Sequence, residues 1–168
     1  MSFRLSPIVR FVAGVCLVGL CLFGLNLLPG TSALALEYNK ETLIEANFSG
    51  QNLTDASFTK ANLRRTDFSN ANLQGVSFFG ANLEDANLSG ANLSSATLDS
   101  ARLVDANLTN AVLEGAFAFN AKFDRARITG ADFTGVLLRS DVQDALCAIA
   151  DGTNPITGRQ TRDTLECY

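Results

Sequence analysis

The sequence predicts an all-β solenoid, a stack of square coils that ends in a small helical cap. Three observations predict it. A large apolar residue recurs every five residues from position 48 to position 138, nineteen positions in all, with one exception. The residue two places before each of these is alanine at fifteen of the nineteen positions. The period then stops, and a helical apolar pattern with two cysteines follows. A frame kept this long is typical of a repeat architecture.

A period of five fits neither a helix nor a flat strand, but it fits a chain that turns at regular intervals. In an extended segment, residues two apart point to the same side, so the alanine and the large residue both point inward. The next two residues must then turn the chain by about a right angle. Ten of the nineteen positions two after the large residue are Gly or Asn, which tolerate the positive φ of a type II turn. Four such turns close a coil of twenty residues, and coils stack at about 4.8 Å.

The large residues form the predicted core column of the solenoid. Ala118 is the exception, at a position where a large side chain is expected. The members are Phe48, Leu53, Phe58, Leu63, Phe68, Leu73, Phe78, Leu83, Leu88, Leu93, Leu98, Leu103, Leu108, Leu113, Phe123, Ile128, Phe133 and Leu138. The predicted organisation is a signal peptide at 1–35, an N-terminal cap at 36–45, the repeat at 46–138 and a C-terminal helical cap at 139–168.

The N-terminus has the pattern of a secretory signal peptide. Two arginines and no acidic residue precede an apolar run at 11–28, which a Pro-Gly pair ends. The small-x-small pattern at 33–35 predicts cleavage after Ala35, so that the mature chain begins near Leu36. The alternative is an uncleaved membrane anchor, because the run approaches the length of a membrane span. After cleavage we expect no association with a membrane.

The composition argues against an enzyme. The chain has no histidine, the usual general base and the commonest metal ligand. It also lacks a nucleophile elbow, a phosphate-binding loop and any cluster with the spacing of metal ligands. We therefore expect no catalytic residues, no metal, no cofactor and no small-molecule substrate. The residues after Ala35 include 11 basic and 17 acidic side chains, a mild excess of acid.

Sorting the outward residues by their place in the coil gives four different walls. The wall around centres 48, 68, 88, 108 and 128 is nearly uncharged, whereas the wall around centres 63, 83, 103 and 123 carries charges of both signs. On this second wall, opposite charges on adjacent coils are expected to pair. The expected pairs are Arg64 with Glu84, Arg65 with Asp85, and Asp105 with Arg125.

A third wall carries large apolar residues at positions that should point outward. They are Phe79, Phe117, Phe119 and Leu137, and they surround the small residue Ala118. One interpretation is that the frame bulges and one of the phenylalanines beside Ala118 turns inward, with the C-terminal segment covering some of the rest. The other is an apolar surface patch that binds a protein partner. The sequence favours the first.

The C-terminal segment is predicted to cap the last coil with two short helices. Ser140 and Gln143 have the spacing of a capping box before the first, and Thr157 is the candidate N-cap of the second. Cys147 and Cys167 are the cysteines that remain after signal cleavage, and an exported chain with two cysteines most simply pairs them. The alternative is a redox-active pair, which the spacing of twenty does not favour.

The repeat resembles the pentapeptide-repeat family, whose consensus is A-(D/N)-L-x-x. The segments "ANLED", "ANLSG", "ANLSS" and "ANLTN" match it as they stand, and the resemblance covers 46–140. It implies a right-handed quadrilateral β-helix. Some members mimic duplex DNA and inhibit topoisomerases, but that activity needs a long acidic wall and a cytosolic location. We therefore expect no nucleic-acid partner here.

The tail resembles that of the thylakoid-lumen pentapeptide-repeat proteins of cyanobacteria and chloroplasts, in which a disulfide joins two C-terminal helices. The matching residues are Cys147, Gly152, Asn154, Pro155, Thr157, Gly158, Thr161, Leu165 and Cys167. The chain lacks a Ser/Arg-rich transit segment before the apolar run, which favours a bacterial version. The resemblance implies the thylakoid lumen, or a periplasm, and no particular chemistry. The expected role is a protein-binding or scaffold module with an unidentified protein partner; the alternative is a lumenal protein regulated through its disulfide.

Overall fold

The computed structural model describes residues 36–168. The predicted signal peptide lies outside the described residues, so its cleavage after Ala35 stays a prediction. Within 36–168, helices are too short or too polar to span a lipid bilayer.

The chain from residue 37 to residue 138 winds into coils of twenty residues. Seventeen parallel bridges join residues that are twenty apart, from Glu37 with Ser57 to Phe117 with Leu137. Each bridge is isolated, because the extended segment is only about three residues long before the chain turns. Four segments and four turns therefore make one coil, and each inner coil pairs with the coils above and below it.

The repeat frame begins before the boundary at residue 46 that the sequence predicts. Glu37 and Thr42 already form parallel bridges to the second coil, and Tyr38 and Leu43 take the central positions of their segments. The predicted N-terminal cap at 36–45 is therefore part of the first coil. Its central residues fit the pattern only loosely, since no alanine precedes either of them at the usual place.

The corners are tight turns with a left-handed residue at their third position. A hydrogen bond closes each turn, such as the 3.0 Å bond from the N–H of Ala96 to the carbonyl of Leu93. Nineteen of the twenty corner residues from Lys40 to Gly135 have a positive φ, as a type II turn requires. Twelve of these nineteen are not glycine. The repeated pairing of the coils therefore imposes a positive φ even on residues in which it is uncommon.

The core is a continuous apolar column. The central residues from Phe48 to Phe133 are at most 6% exposed, and the alanines that precede them are buried as well from Ala56 onward. Aromatic rings fill the first coils, where Phe58 stacks between Tyr38 and Phe78 at centroid distances of 4.8 and 5.3 Å. Leu138 is only half-buried, because no further coil covers the end of the column.

Two helices form the cap, α1 at Ser140–Cys147 and α2 at Thr161–Thr164. The predicted capping box of α1 is wrong: its N-cap is Arg139 and no side chain caps it. Gln143 instead donates to the carbonyl of Leu165 at 2.7 Å, a contact between the helices that a local pattern cannot show.

The predicted N-cap of α2 is also wrong. The helix begins four residues after Thr157, and its N-cap is Gln160, which again makes no side-chain capping bond. Residues 155–157 form a turn instead, in which the side-chain oxygen of Asn154 accepts the N–H groups of Ile156 and Thr157. The Asx-type turn takes the place of the predicted helix start.

Candidate functional site

Four large apolar residues lie exposed on one wall and form what we call the aromatic patch. Their exposed fractions are 40% for Phe79, 52% for Phe117, 55% for Phe119 and 55% for Leu137. Phe117 forms a parallel bridge with Leu137, so these two side chains lie on adjacent coils. Phe119 lies two residues after Phe117 on the same side of the chain. Three of the four therefore make one continuous apolar surface.

The frame does not bulge at Ala118, contrary to the interpretation that the sequence favours. Ala118 is fully buried, while Phe117 and Phe119 keep the outward direction that strand alternation dictates. Parallel bridges from Thr97 to Phe117 and from Phe117 to Leu137 hold the register. A slip by one residue would turn over every later side chain of the column, so the buried column beyond this point opposes it.

The corner beside the aromatic patch differs from every other corner between residues 40 and 135. Asn120 alone lacks a positive φ there. Its backbone N–H and its side-chain amide both donate to the carboxylate of Asp99 one coil below, at 3.1 and 3.0 Å. Asp99 thereby fixes the local turn that carries Phe119.

The charged wall contains one predicted ion pair. Arg125 donates to both carboxylate oxygens of Asp105 on the coil below, at 2.7 and 2.5 Å. These hydrogen bonds lower the pKa of the Asp105 carboxyl below its ordinary value. The pairing of Asp105 with Arg125 is confirmed.

Two other predicted ion pairs on this wall are wrong. The sequence pairs Arg64 with Glu84 and Arg65 with Asp85. Arg65 instead reaches down to Glu45 at 2.7 Å, and Glu84 binds Arg102 from the coil above at 3.1 Å. An arginine side chain is long enough to reach several acidic residues on adjacent coils. The order of charges along the wall therefore does not determine which of them it pairs with.

The C-terminal loop docks on the end of the solenoid through Asn154. This residue is 1% exposed, and its amide nitrogen lies 2.8 to 3.2 Å from three backbone oxygens, those of Asn110, Ala111 and Gly130. The N–H of Gly130 in turn donates to the carbonyl of Asp151 at 2.8 Å. The loop thus occupies the place that a further coil would take along this corner.

We expect Asn154→Ala to lower the free energy of unfolding by about 2 kcal/mol, because the carbonyls of Asn110 and Gly130 lose their donor. The matched control is Asn72→Ala, which removes a half-buried asparagine whose amide donates to the side chains of Asn52 and Thr54 rather than to buried carbonyl groups. It should cost less than about 0.5 kcal/mol. Urea denaturation of the oxidised protein measures both. Similar losses for the two variants would contradict the docking role of Asn154.

An ionic contact next to Asn154 ties the cap to the last coils. Burial opposes ionisation of Asp132, but the hydroxyl and N–H of Thr134, the hydroxyl of Thr157 and the charge of Arg159 outweigh it and lower the pKa of Asp132. Thr134 lies at 2.6 and 2.9 Å, and Arg159 at 3.1 Å. Since the pKa is lowered in the folded protein, the ionised carboxylate stabilises the fold at neutral pH. That contribution is lost as the pH falls through the lowered pKa.

The disulfide predicted from the sequence is confirmed. Cys147 at the end of α1 bonds Cys167 after α2, with their Cα atoms 5.5 Å apart. Both cysteines are half-buried, and Leu146 and Leu165 beside them are buried in the core. The guanidinium of Arg162 also donates to the carbonyl of Cys147 at 3.1 Å. The described part of the chain contains no group of three or more His, Cys, Asp or Glu side chains that could hold a metal ion.

Family models and solved structures match this chain over most of its length. A model described as pentapeptide repeat region matches 34–108, and one described as pentapeptide repeats (8 copies) matches 101–139. The crystal structure of a pentapeptide repeat protein from the thylakoid lumen of Arabidopsis thaliana is 46% identical, with a TM-score of 0.76 over 77% of this chain and 90% of that one. HetL of Nostoc sp. strain PCC 7120, a pentapeptide repeat protein involved in heterocyst differentiation regulation, is 29% identical, with a TM-score of 0.56 over 62% of this chain and 52% of that one.

Two curated relatives from Arabidopsis thaliana match a shorter region. Thylakoid lumenal 15 kDa protein 1 is 60% identical over 42 residues, and thylakoid lumenal protein TL20.3 is 48% identical over 42 residues. The matched region is 25% of this chain in each case, and it spans 19% and 15% of these two relatives. The names of these relatives, with that of the solved lumenal structure, confirm the lumenal location that the sequence predicts.

Proposed function

This chain belongs to the pentapeptide-repeat family, and from that premise we propose that it is a non-catalytic protein-binding module of the thylakoid lumen that contacts its partner through the aromatic patch. The finer description of the fold, a right-handed quadrilateral coil, is part of the proposal. Four corners in every twenty residues and the match to a lumenal family member support it.

One observation carries the binding role: Phe117, Phe119 and Leu137 are each more than half exposed and lie together on one wall. Alternation along the strand forces them outward, so they contribute little to the core of their own chain. Aromatic side chains on a rigid surface contribute strongly to protein interfaces, because few rotamers are lost when they are covered. The repeat holds them in fixed positions.

The charge distribution does not support the alternative of a DNA mimic. On the charged wall, Glu45, Glu84 and Asp105 each pair with an arginine on a neighbouring coil. A mimic of the phosphate backbone requires a continuous array of unpaired negative charge. A partner that buries apolar surface fits this molecule better.

The test is the double variant Phe117→Ser/Phe119→Ser. We expect it to keep the melting temperature within a few degrees, since both side chains are mostly exposed, and to weaken partner binding by about tenfold or more. Affinity capture from lumen extracts identifies a partner, and the dissociation constant is then measured with the two purified proteins. The matched control is Thr109→Ala on the uncharged wall. Equal partner affinity for the native protein and the double variant would refute the proposal.

A further inference from the structure

A groove of about 710 Å³ opens between the charged wall at the last coil and helix α1. Segment 121–125 lines one side of it. On the other side are Val142, Ala145 and Ile149, which are spaced to lie on one face of α1 and its C-terminal extension. Two of the lining residues, Phe123 of this segment and Leu146 of α1, are buried. Such a volume suits a short stretch of extended peptide.

In each lower coil of this wall, three backbone groups pair with the next coil. The segment below the groove shows the pattern. The N–H groups of Leu103 and Asp105 donate to the carbonyls of Lys122 and Asp124 at 2.8 and 3.0 Å. The carbonyl of Ala101 accepts the N–H of Lys122 at 3.0 Å.

One coil higher, the equivalent groups are the N–H of Phe123, the N–H of Arg125 and the carbonyl of Ala121. None of these three has a hydrogen-bond partner among residues 36–168. At two other positions of the last coil the cap supplies a substitute: Asp151 accepts the N–H of Gly130, and the hydroxyl of Thr164 accepts the N–H of Phe133. Segment 121–125 therefore presents an open edge along the groove, and an open edge pairs readily with another extended chain.

We propose that this groove binds an extended peptide segment of a partner protein, which adds one further rung to segment 121–125. Two carbonyl groups of the bound peptide accept the N–H groups of Phe123 and Arg125, and one N–H of the peptide donates to the carbonyl of Ala121. On this wall, each coil makes the same three bonds to the coil below it. Main-chain bonds of this kind give affinity, and alternate side chains give specificity. This surface is separate from the aromatic patch, and the inference goes beyond the proposed function.

Two exposed charged residues on the open edge determine which side chains a bound peptide should carry. Lys122 and Asp124 point outward on either side of Phe123, and neither forms an ion pair within the described part of the chain. A residue paired directly across from each is favoured when its charge is opposite. The matching segment therefore has an acidic residue opposite Lys122, an apolar residue over Phe123 and a basic residue opposite Asp124.

A second copy of this chain fits the groove less well than a single peptide. Helix α1 packs Leu146 into the core at the end of the column. A whole coil of another molecule, stacked on segment 121–125, would need its own interior where α1 already lies. A lone extended segment needs only the width of one strand beside α1.

The test measures binding of the fluorescein-labelled peptide Ser-Ala-Glu-Leu-Lys-Gly-Ser to the oxidised protein by fluorescence anisotropy. Ala145→Trp fills the groove from an exposed position on α1. Its matched control is Asp144→Trp, which is next to it, is also exposed and does not line the groove. We expect about a tenfold loss of affinity for the first and less than about a twofold change for the second. N-methylation of the peptide glutamate, which removes the donor to Ala121, should also cost about tenfold.

A charge exchange separates specific pairing from general attraction. The peptide Ser-Ala-Lys-Leu-Lys-Gly-Ser should bind the native protein about threefold more weakly, and Lys122→Glu should reverse the preference. Saturable binding with these dependences supports the proposal. Absence of saturable binding up to about 1 mM, or equal binding to Ala145→Trp, overturns it. Concentration-dependent dimerisation that Ala145→Trp abolishes, without peptide binding, would assign the groove to a second copy and also overturn it.

Discussion

Leu93→Asp is expected to lower the free energy of unfolding by about 4 kcal/mol or more, whereas Asn92→Asp should change it by less than about 0.5 kcal/mol. Leu93 is fully buried in the middle of the column, between coils that pair through Asn72, Asn92 and Val112. A carboxylate there has no partner, so it must either desolvate its charge or take up a proton.

The neighbouring position is the matched control because the same residue, aspartate, is introduced there on the outward side of the strand. Asn92 points outward, and its side-chain oxygen accepts the N–H and hydroxyl of Ser94 at 3.1 and 2.6 Å. An aspartate keeps both acceptor roles. Thermal and urea denaturation of the two oxidised variants measures the difference. Equal melting temperatures would contradict the assignment of inward and outward positions throughout the repeat.

The pair also shows why the solenoid could be predicted from the sequence. Each five-residue segment has the same pattern: two inward residues, one outward residue between them and two residues that turn the chain. Alternation within the extended segment points the side chain of Leu93 inward, and the equivalent residues of the coils above and below also point inward. Local chemistry and global packing therefore agree at nearly every position. At Ala118 the sequence favours a bulge, and that interpretation is wrong because pairing with the adjacent coils keeps the register there.

The end of the solenoid could not be predicted in the same way, because its contacts are not local. Gln143 has the spacing of a capping residue, yet it binds Leu165, which is 22 residues away. Asn154 was recognisable as part of a family-like tail, but its three carbonyl acceptors come from two different coils. The open edge at Phe123 depends on which parts of the last coil the cap covers. Only the placement of the cap decides these features.

Reduction of the disulfide should loosen the cap and leave the early coils unchanged. The bond closes a loop between residues twenty apart, and its loss should cost roughly 3 kcal/mol in the entropy model. Each coil contacts only its neighbours, so the effect should decay toward the N-terminus. Hydrogen exchange should rise across 133–167 and stay unchanged near Leu63 and Leu83.

Two controls separate the bond from the reagent. Cys147→Ser should reproduce the exchange pattern of the reduced protein, and reductant should have no further effect on Cys147→Ser/Cys167→Ser. Identical exchange of the oxidised and reduced proteins at 133–167 would show that the disulfide does not hold the cap. If a lumenal thiol carrier reverses the reduction and this changes partner capture, the alternative of a redox-regulated protein replaces a purely structural role for the bond.

The contacts of the cap predict which part loosens most. The disulfide joins the ends of α1 and α2, whereas Asn154 and Asp151 hold the loop between them directly to the backbone of the last coils. Reduction should therefore raise exchange most in the helices, at 140–149 and 161–167, and least at 151–154. Asn154→Ala should raise exchange most at 151–154 and least in the two helical regions. Combining the two changes should destabilise the cap by more than the sum of the single effects, because the bond and Asn154 each limit the motion that the loss of the other permits.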